Sequence, residues 1–370
     1  MKLEDFSYDL PEDRIAQQPL AQRDASRMLL LSRGDGRWED RAFADLPELL
    51  RGDELLVVNN ARVIPARLFG HRRGDKSEPM GKQSRHRDEY LSSVIEVLLT
   101  RNMEGDIWEA LVRPGRKVRV GEHILFGEAD LQAEVIDRGE LGLRRLKFSC
   151  PADCSANAVS QTIDRLGHVP LPPYIRRSDE AADRLRYQTI FARSGNAVAA
   201  PTAGLHFTES ILEKLRARGT EICEITLNVG LGTFQPIHEE EIERHAIHTE
   251  SYEIPDATAE KISSAKKSGR PILAVGTTAV RALEDAARKS SASNANQLLH
   301  GGTAEADIYI YPGHQFLVVD QILTNFHLPR SSLFVMISAF AGRDLTLAAY
   351  RHAIADSYRF YSYGDCMLIR

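Results

Sequence analysis

Residues 94–148, VIEVLLTRNMEGDIWEALVRPGRKVRVGEHILFGEADLQAEVIDRGELGLRRLKF, carry the pattern on which the fold prediction rests. Short apolar and β-branched runs recur at intervals of roughly 8–12 residues, with Gly, Asp and Asn between them. No amphipathic helical pattern interrupts the runs. This arrangement is typical of a small antiparallel barrel or sandwich. The predicted strands cover 94–100, 107–112, 118–126, 131–136 and 141–148.

The sequence on either side of this stretch alternates between β and α patterns. Strands are predicted at 55–58, 197–200, 221–227 and 272–275, and again at 308–311 and 316–319. Helices are predicted after residue 208, from residue 256, from 277 to about 288, and over 333–340 and 345–354. The predicted fold class is therefore α/β, with a main α/β domain and an inserted small antiparallel β-barrel domain. We predict a discontinuous catalytic domain over 1–60 and 155–370 and the barrel over 61–154. Residues 71–90 form a predicted polar loop and 290–303 a linker.

Composition excludes several classes of protein. The chain has 370 residues, 43% hydrophobic and 27% charged, and a net charge of −5, which argues against binding nucleic acid by bulk charge. Its four cysteines include no C-x-x-C pair, so neither a disulfide scaffold nor a zinc ribbon is expected. The N-terminus lacks the apolar region of a signal peptide, and the longest apolar run, 333–341, is about half of the ~20 residues that a membrane span needs. We expect a cytoplasmic protein.

Two strand–loop–helix segments are candidate ligand sites. The segment PTAGLHFT (201–208) follows a predicted strand, and its small residues allow close approach of a ligand to the backbone. His206 lies there, with a side chain suited to general acid or base work. The segment VGTT (275–278) repeats this geometry, and Arg281 one turn later could hold a carboxylate. A capped turn with a structural histidine is the alternative in each case, and the spacing does not choose between them.

Two further segments combine histidines or aromatic residues with charged residues. HAIHTE (245–250) does not match a known zinc spacing, so an acid/base cluster or a structural role is favoured over a metal site. Near the C-terminus, NFHLPRSS (325–332) and YRFYSYGD (358–365) interleave aromatic residues with Arg and Asp, a pattern that could stack bases or simply fill a core. Ser331 or Ser332 is a predicted helix N-cap.

Basic residues cluster in two places in the first half of the chain. Segment 71–87 is a candidate solvated loop, and RPGRKVR (113–119) carries four cations and no acid around Pro114-Gly115. A tight turn there would present Arg113, Arg116 and Lys117 to an anionic partner.

Taken together, these segments closely resemble the S-adenosylmethionine:tRNA ribosyltransferase-isomerases, enzymes of the bacterial queuosine pathway. The resemblance runs almost end to end and includes many long, ordered motifs. They are FSYDLPEDRIAQQPLAQRDASRMLLL (6–31), NNARVIPARLFG (59–70), LVRPGRKV (111–118), GHVPLPPYIRR (167–177), YQTIFAR (187–193), AVAAPTAGLHFT (197–208), VGLGTFQPI (229–237), HAIHTESYEI (245–254), AVGTTAVRALE (274–284), TNFHLPRSSL (324–333) and YRFYSYGDCMLI (358–369).

The resemblance implies an activity, an architecture and partners. The family transfers and rearranges the ribosyl part of S-adenosylmethionine onto 7-aminomethyl-7-deazaguanine at the wobble position of a tRNA, which gives epoxyqueuosine-tRNA, adenine and methionine. S-adenosylmethionine is a consumed substrate, no metal or other cofactor is expected, and the family is usually monomeric. An α/β domain with an inserted β-barrel is the family architecture.

The family chemistry also suggests roles for residues in the matching motifs. A base must remove the proton on C5′ beside the sulfonium, and the departing adenine needs a proton. The expected catalytic residues are His206, His248 and Asp365. The expected substrate-binding residues are Thr202, Gly204, Glu250, Thr277, Thr278, Arg281, Asn325, His327, Tyr361 and Tyr363. The expected RNA-binding residues are Arg113, Arg116, Lys117 and Arg176, and Phe326 is a further candidate for base stacking.

Two other readings of the sequence stay open. A hydrolase or methyltransferase could use the same sulfonium ligand. A non-catalytic RNA-binding module is the other possibility, although the net charge and the absence of a recognisable RNA-binding signature disfavour it.

Overall fold

The computed structural model describes residues 1–74, 91, 93–139, 142–151, 155, 157–230, 237, 239–292 and 298–370. Most of the predicted loop over 71–90 and the centre of the predicted linker over 290–303 lie outside the described residues, as does Cys154. The contacts divide the chain into two compact units. The α/β unit comprises residues 1–62, 172–178 and 185–370, and the barrel unit comprises residues 63–171 and 179–184.

The described residues form 17 strands and eight α-helices, joined by turns and short 3-10 segments. The strands are β1 (Arg27–Ser32), β2 (Arg37–Ala42), β3 (Leu55–Asn59), β4 (Ala61–Val63), β5 (Arg67–Arg72), β6 (Val94–Glu104), β7 (Ile107–Arg113), β8 (His123–Phe126), β9 (Leu131–Arg138), β10 (Leu143–Ser149), β11 (Ser194–Ala197), β12 (Glu221–Leu227), β13 (Glu250–Ile254), β14 (Ile272–Val275), β15 (Gly302–Ala306), β16 (Gln321–Asn325) and β17 (Cys366–Ile369). The helices are α1 (Leu46–Leu49), α2 (Ala158–Leu166), α3 (Asp183–Arg186), α4 (Glu209–Ala217), α5 (Asp256–Lys267), α6 (Thr277–Ala292), α7 (Ser332–Ala341) and α8 (Arg343–Ala355).

One mixed sheet organises the α/β unit. Its strand order is β15-β13-β12-β3-β14-β16-β17-β1-β2. The central strands β12, β3, β14 and β16 are mutually parallel, and β17 runs antiparallel to β16. Strand β14, with the sequence ILAV, is apolar and buried throughout, because both faces of a parallel sheet are covered. The carboxyl ends of the four parallel strands therefore meet at one edge of the sheet.

The side chains of the central strands pack into two apolar cores, one on each face of the sheet. Leu55, Val57 and Ala274 lie in the larger core, where residues of α5, α6, α7 and α8 pack. Leu56 and Val275 point to the other face, where α1 and α4 pack. Since successive side chains of a strand alternate between faces, the apolar runs of these short strands supply both cores.

A closed six-stranded barrel forms the second unit, with strand order β10-β7-β6-β5-β8-β9. Its neighbouring strands are antiparallel, and residues such as Ile95, Val97 and Leu99 alternate inward from β6. The predicted α/β fold with an inserted antiparallel barrel is thus confirmed. The sequence analysis did not predict β5. The strand predicted at 118–126 is too long, since a 3-10 turn covers residues 115–117 and β8 begins only at residue 123.

The extent of the barrel unit differs from the predicted insert of 61–154. Helix α2 packs on β9 and β10, so the chain up to residue 171 belongs to the barrel unit, together with 179–184. The sequence analysis assigned residues from 155 onward to the α/β domain and predicted no helix at this position. Helix α2 instead places Val159 and Ile163 among the buried residues of the barrel unit.

The strands predicted at 308–311 and 316–319 are wrong. The structure has β15 and β16 on either side of an irregular segment. The buried carboxylate of Glu284 accepts the backbone N–H groups of Leu317, Val318 and Val319 at 2.8–3.0 Å. Because a side chain satisfies these N–H groups, this apolar segment needs no neighbouring strand to accept them.

Within the described residues, no single helix has the length and apolarity to span a bilayer. Helices α7 and α8 meet that test only as a pair, across a bend of 113°.

Candidate active site

The edge of the large sheet where the parallel strands end carries an open cavity, with about 640 Å³ of empty space when the solvent at its mouth is included. Val229 follows β12, Gly276 follows β14, and Phe326 follows β16. Tyr361 and Ser362 reach the same edge because β17, which they precede, is antiparallel to β16. Ligands of open α/β sheets bind at this edge. The lining residues are Tyr174, Ala200, Pro201, Thr202, Ala203, Val229, Gly276, Thr277, Thr278, Thr324, Asn325, Phe326, His327, Leu328, Ser331, Leu333, Tyr361 and Ser362.

The connection from β14 to α6 brings a helix N-terminus to the cavity. Gly276 adopts a φ of +86°, a conformation that residues with a Cβ rarely take, and its N–H donates to the carbonyl of Leu323 at 2.7 Å. Helix α6 begins at Thr277, so the first N–H groups of the helix lie at the cavity wall. Asn59 donates from Nδ2 to Thr278 Oγ1 at 3.4 Å and so helps to hold this wall.

His206 lies behind the cavity wall and not in it. Its ring is 3% exposed, and its two nitrogens contact Ser26 Oγ at 2.8 Å and Asn325 Nδ2 at 3.2 Å. Burial, together with the nearby cations Arg23 and Arg359, lowers the pKa of His206 to about 4. The ring is therefore neutral near pH 7, and both nitrogens are engaged within the protein.

His327 is the histidine that lines the cavity among the described residues. Thr324 Oγ1 lies 2.7 Å from Nε2 of His327 and donates its own proton to the carbonyl of Asn325 at 3.2 Å. With the Thr324 proton on that carbonyl, Nε2 carries the ring proton and Nδ1 is the acceptor atom. The backbone of His327 is fixed by Tyr350, whose hydroxyl accepts the N–H at 3.1 Å, and by Tyr8, whose hydroxyl donates to the carbonyl. Burial lowers the pKa of His327 to about 3.

The whole chain, including the segments that form this cavity, can be compared with known proteins. A family model described as "Queuosine biosynthesis protein" matches residues 3–369. The chain belongs to this queuosine biosynthesis family. It is 54% identical, over 100% of both chains, to a Solibacter usitatus protein named S-adenosylmethionine:tRNA ribosyltransferase-isomerase, and 47% identical over 100% of both chains to a Moorella thermoacetica protein of the same name.

A solved structure supports the same assignment. The crystal structure of an S-adenosylmethionine tRNA ribosyltransferase from Thermotoga maritima matches with a TM-score of 0.52 and 36% identity, over 99% of this chain and 100% of that one. The resemblance stated from the sequence is confirmed, and this member of the queuosine biosynthesis family is an enzyme of the transferase-isomerase class.

The structure brings together some of the expected substrate-binding residues at the cavity of this family member. Tyr361 packs against Tyr174 with ring centroids 4.6 Å apart, so the wall includes a pair of aromatic rings. Phe326, expected to stack on a base, lines the cavity but is fully buried in the core. The expected residues on the cavity wall are Thr202, Thr277, Thr278, Asn325, His327 and Tyr361.

Other expected site residues do not line this cavity. Gly204 faces the interior, where a Cβ would lie 2.8 Å from Thr189 Cγ2, so close packing requires a glycine there. Tyr363 packs edge-on against Tyr187 and, with Arg23 and His206, borders a smaller depression.

Asp365 has its carboxylate engaged by the backbone. Its two oxygens accept N–H groups from Arg27 at 2.9 Å and from Arg359 at 2.8 Å. The side chain is 2% exposed, and burial raises its pKa. These contacts join the start of β1 to the chain before β17. They favour a structural role for Asp365 over the expected catalytic role.

Arg281 and Glu250 form a buried ion pair, with Nη1 and Oε2 2.6 Å apart. Three further N–H groups of Arg281 donate to the backbone carbonyls of Ile308, His248 and Ala306. The other oxygen of Glu250 accepts the N–H of Gly230 at 3.0 Å. Arg281 was expected to hold a substrate carboxylate, and Glu250 was expected among the substrate-binding residues. Both groups instead bind within the protein, and neither lines the cavity.

The expected RNA-binding residues of the barrel lie on a turn that a buried arginine holds. Arg144 is 2% exposed and donates to the carbonyls of Gly115 at 2.7 Å and Val118 at 3.1 Å. The turn between these carbonyls is thereby fixed while its charged side chains stay in solvent. The exposed cations are Arg113, Arg116 and Lys117.

Arg176, the fourth expected RNA-binding residue, lies in the α/β unit and is exposed. Its guanidinium donates to both carboxylate oxygens of Glu12, at 2.9 and 3.0 Å. His248, the remaining expected catalytic residue, is also absent from the cavity wall that the described residues form.

One group of side chains in the described part of the chain has the spacing of metal ligands. Asp40, His352 and Asp356 place ligand atoms within 4.8 Å of one another, away from the cavity. Arg27 lies 3.4 Å from Asp40, and the Tyr358 hydroxyl donates to the same carboxylate. The positive charge of Arg27 thus offsets part of the negative charge of this group.

The sequence reading gave no role to Ser26, Asn59 or Tyr174. All three lie in motifs that carry the family resemblance, at 6–31, 59–70 and 167–177. Ser26 and Asn59 contact the side chains that support the cavity, and Tyr174 lines it. The long motifs were therefore the signal that could have pointed to these three residues. Only the structure shows their contacts, because the partners lie more than 100 positions apart in the sequence.

Proposed function

We propose that this chain transfers and isomerises the ribosyl moiety of S-adenosylmethionine onto 7-aminomethyl-7-deazaguanine at the tRNA wobble position, giving epoxyqueuosine-tRNA, adenine and methionine. The observation that carries this proposal is the cavity at the carboxyl edge of the sheet. It is built from the motifs shared with relatives that are named for this reaction. S-adenosylmethionine is consumed as a substrate, and the proposal includes no metal or other cofactor.

The chemistry of the cavity wall suits a sulfonium nucleoside. Among the described lining residues, none carries a formal charge at neutral pH, because the pKa of His327 is lowered to about 3. Such a wall does not repel the sulfonium, and the rings of Tyr174 and Tyr361 offer a face to a flat base or to the cation. The N-terminus of α6 at Thr277 offers backbone N–H groups to the methionine carboxylate.

For proton transfer at C5′ we favour His327 over His206 and His248. His327 lines the cavity, and its Nδ1 has a lone pair while Nε2–H is used by Thr324. In this step Nδ1 takes the C5′ proton and the electron pair stays on the carbon beside the sulfonium. His327→Phe should abolish exchange of the C5′ hydrogen with solvent, and the exposed His300→Phe is the matched control. Wild-type exchange in His327→Phe would remove His327 from this step.

For RNA we propose that the exposed cations of the barrel turn, Arg113, Arg116 and Lys117, contact phosphates, with Arg176 contributing from the α/β unit. The anticodon loop must present an unstacked base, which is how proteins read single-stranded RNA. We further propose a monomeric, cytoplasmic enzyme.

The identity of the products tests the reaction. Incubating the purified chain with substrate tRNA and S-adenosylmethionine, labelled separately in the ribose and in the methyl group, should move the ribose label into RNA and release methionine and adenine. Formation of S-adenosylhomocysteine would identify a methyltransferase. Adenine release without labelled RNA would identify a hydrolase, and tRNA binding without turnover would identify an RNA-binding module.

A further inference from the structure

The amide of Asn325 is held in one orientation. Its Nδ2 lies 3.2 Å from Nε2 of His206, 3.1 Å from the carbonyl of Tyr361 and 3.4 Å from the carbonyl of Asp365. The two carbonyl oxygens can only accept hydrogen bonds. A flipped amide would bring Oδ1 against the same acceptors, so the amide nitrogen must face them.

This orientation also fixes the proton on His206. Because Nδ2 of Asn325 can only donate, Nε2 of His206 must accept, and the ring proton lies on Nδ1. Nδ1–H then donates to Ser26 Oγ at 2.8 Å, and the Ser26 hydroxyl reaches the carbonyl of Arg23 at 3.4 Å. The ring also packs on Phe43, with centroids 5.3 Å apart. A directed set of hydrogen bonds thus runs from Asn325 through His206 and Ser26 to the backbone.

The opposite atom of the amide, Oδ1 of Asn325, is left without a donor. It is buried, and no described residue donates a hydrogen bond to it. Asn325 is 2% exposed and lines the cavity. Burying a carbonyl oxygen without a donor is unfavourable, and such atoms in native proteins call for a specific partner. A ligand in the cavity can supply that partner only if it presents an N–H or O–H group.

We propose that Ser26 and His206 are positioning residues that hold Asn325 so that Oδ1 accepts a hydrogen bond from an N–H group of the sulfonium substrate. His206 thereby sets which atom of the amide the substrate meets, and it does not itself exchange protons with the substrate. The inference rests on the proposed function, because S-adenosylmethionine supplies the donor. Its two sources of N–H are the purine 6-amino group and the methionine ammonium.

Calorimetric titration with three compounds tests the inference. They are S-adenosylmethionine, its deaminated counterpart with a carbonyl at purine carbon 6, and its counterpart without the α-amino group. The wild-type chain should prefer S-adenosylmethionine over one of the two analogues by about 10-fold or more, and the analogue that loses affinity identifies the donor.

Variants of the positioning residues give the decisive comparison. His206→Met removes the acceptor for Asn325 and should reduce this preference to about 3-fold or less. His206→Gln, whose amide oxygen can accept near the position of Nε2, should keep most of it. Ser26→Ala, a smaller change, should lower it partially and serves as the test if His206→Met does not fold. General loosening of the cavity would weaken all three ligands together and leave their ratio unchanged.

Two results would overturn the inference: equal affinity of the wild-type chain for all three compounds, or a wild-type preference retained in both His206→Met and Ser26→Ala. Ribosyl transfer to tRNA by the wild-type chain is measured alongside. If transfer occurs without the preference, the positioning role fails and the proposed function stands. If S-adenosylmethionine neither binds nor reacts, both fail.

Discussion

The cavity of the α/β unit and the basic turn of the barrel unit use polar side chains in opposite ways. Around the cavity, Asn325 hydrogen-bonds to His206 and to the backbone, and Thr324 hydrogen-bonds to His327 and to the backbone. These contacts leave single acceptor atoms at defined positions. At the turn, Arg144 is buried and binds carbonyls, while Arg116 and Lys117 remain in solvent. Under the proposed function, the cavity selects its ligand by the direction of hydrogen bonds, whereas the turn selects its partner by charge.

If this contrast is correct, buried cations should control stability and exposed cations should control RNA affinity. The largest effect is expected for Arg281→Met, which leaves Glu250 as an uncompensated buried charge. We expect the free energy of unfolding to fall by roughly 3–5 kcal/mol, measured by denaturant titration. The double variant with Glu250→Leu should recover part of this loss. A single variant as stable as wild type would show that the pair is not desolvated.

Acid should destabilise the folded chain through its buried neutral histidines. His206 takes up a proton near pH 6.5 when unfolded but only near pH 4 when folded, because burial, Arg23 and Arg359 lower its pKa. The unfolded state therefore binds more protons between these values, and stability falls as the pH drops from about 6.5 to 4, by at most about 3 kcal/mol from this residue.

Unfolding titrations at several pH values check this expectation. His206→Met should flatten the dependence in that window, and the exposed His300→Met should not. An unchanged slope in His206→Met would mean that the acid sensitivity arises elsewhere.

A smaller effect is expected for Arg144→Met in the barrel. The change leaves the buried carbonyl of Val118 without its side-chain donor, and the carbonyl of Gly115 keeps only the backbone N–H of Val118, at a cost of roughly 1–3 kcal/mol. The turn should loosen, and RNA affinity should fall even though no exposed charge has been removed. Hydrogen exchange of residues 113–119, followed together with tRNA affinity, measures both effects. Loss of affinity without faster exchange would contradict the clamp.

The smallest effect on stability, with a change mainly in binding, is expected for Arg116→Ala combined with Lys117→Ala. Stability should change by no more than about 0.5 kcal/mol. The slope of log affinity for tRNA against log salt should become shallower by about 1.5. Arg138→Ala with Lys147→Ala removes two other exposed barrel cations and is the matched control. Equal slopes for the two double variants would show that the turn has no special part in RNA binding.

The two regions also differ in how much the sequence predicts. The barrel strands can be predicted because apolar residues recur along them. Ile95, Val97 and Leu99, with one residue between them, all face inward in the structure. The N-cap at Ser331, whose side chain accepts the N–H of Phe334, follows from residue type alone. Features of this kind depend only on neighbouring residues, so the sequence alone predicts them.

The missed features depend on partners far away in the sequence. Residues 316–319 are apolar like a strand, but Glu284 takes their N–H groups, and no local pattern reveals that carboxylate. Arg281 lies one turn into a helix beside a candidate ligand loop, yet its partner Glu250 is 31 residues away. The family motifs identified the residues of the site, but which of them face the ligand is decided by burial and pairing.

A crystal structure of the chain with S-adenosylmethionine tests the central claim most directly. The account predicts the sulfonium compound in the cavity at the carboxyl edge of the sheet, with its carboxylate at the start of α6 and one of its N–H groups within about 3.2 Å of Asn325 Oδ1. Binding of the compound elsewhere, or an acceptor atom of the compound facing Oδ1, would contradict it.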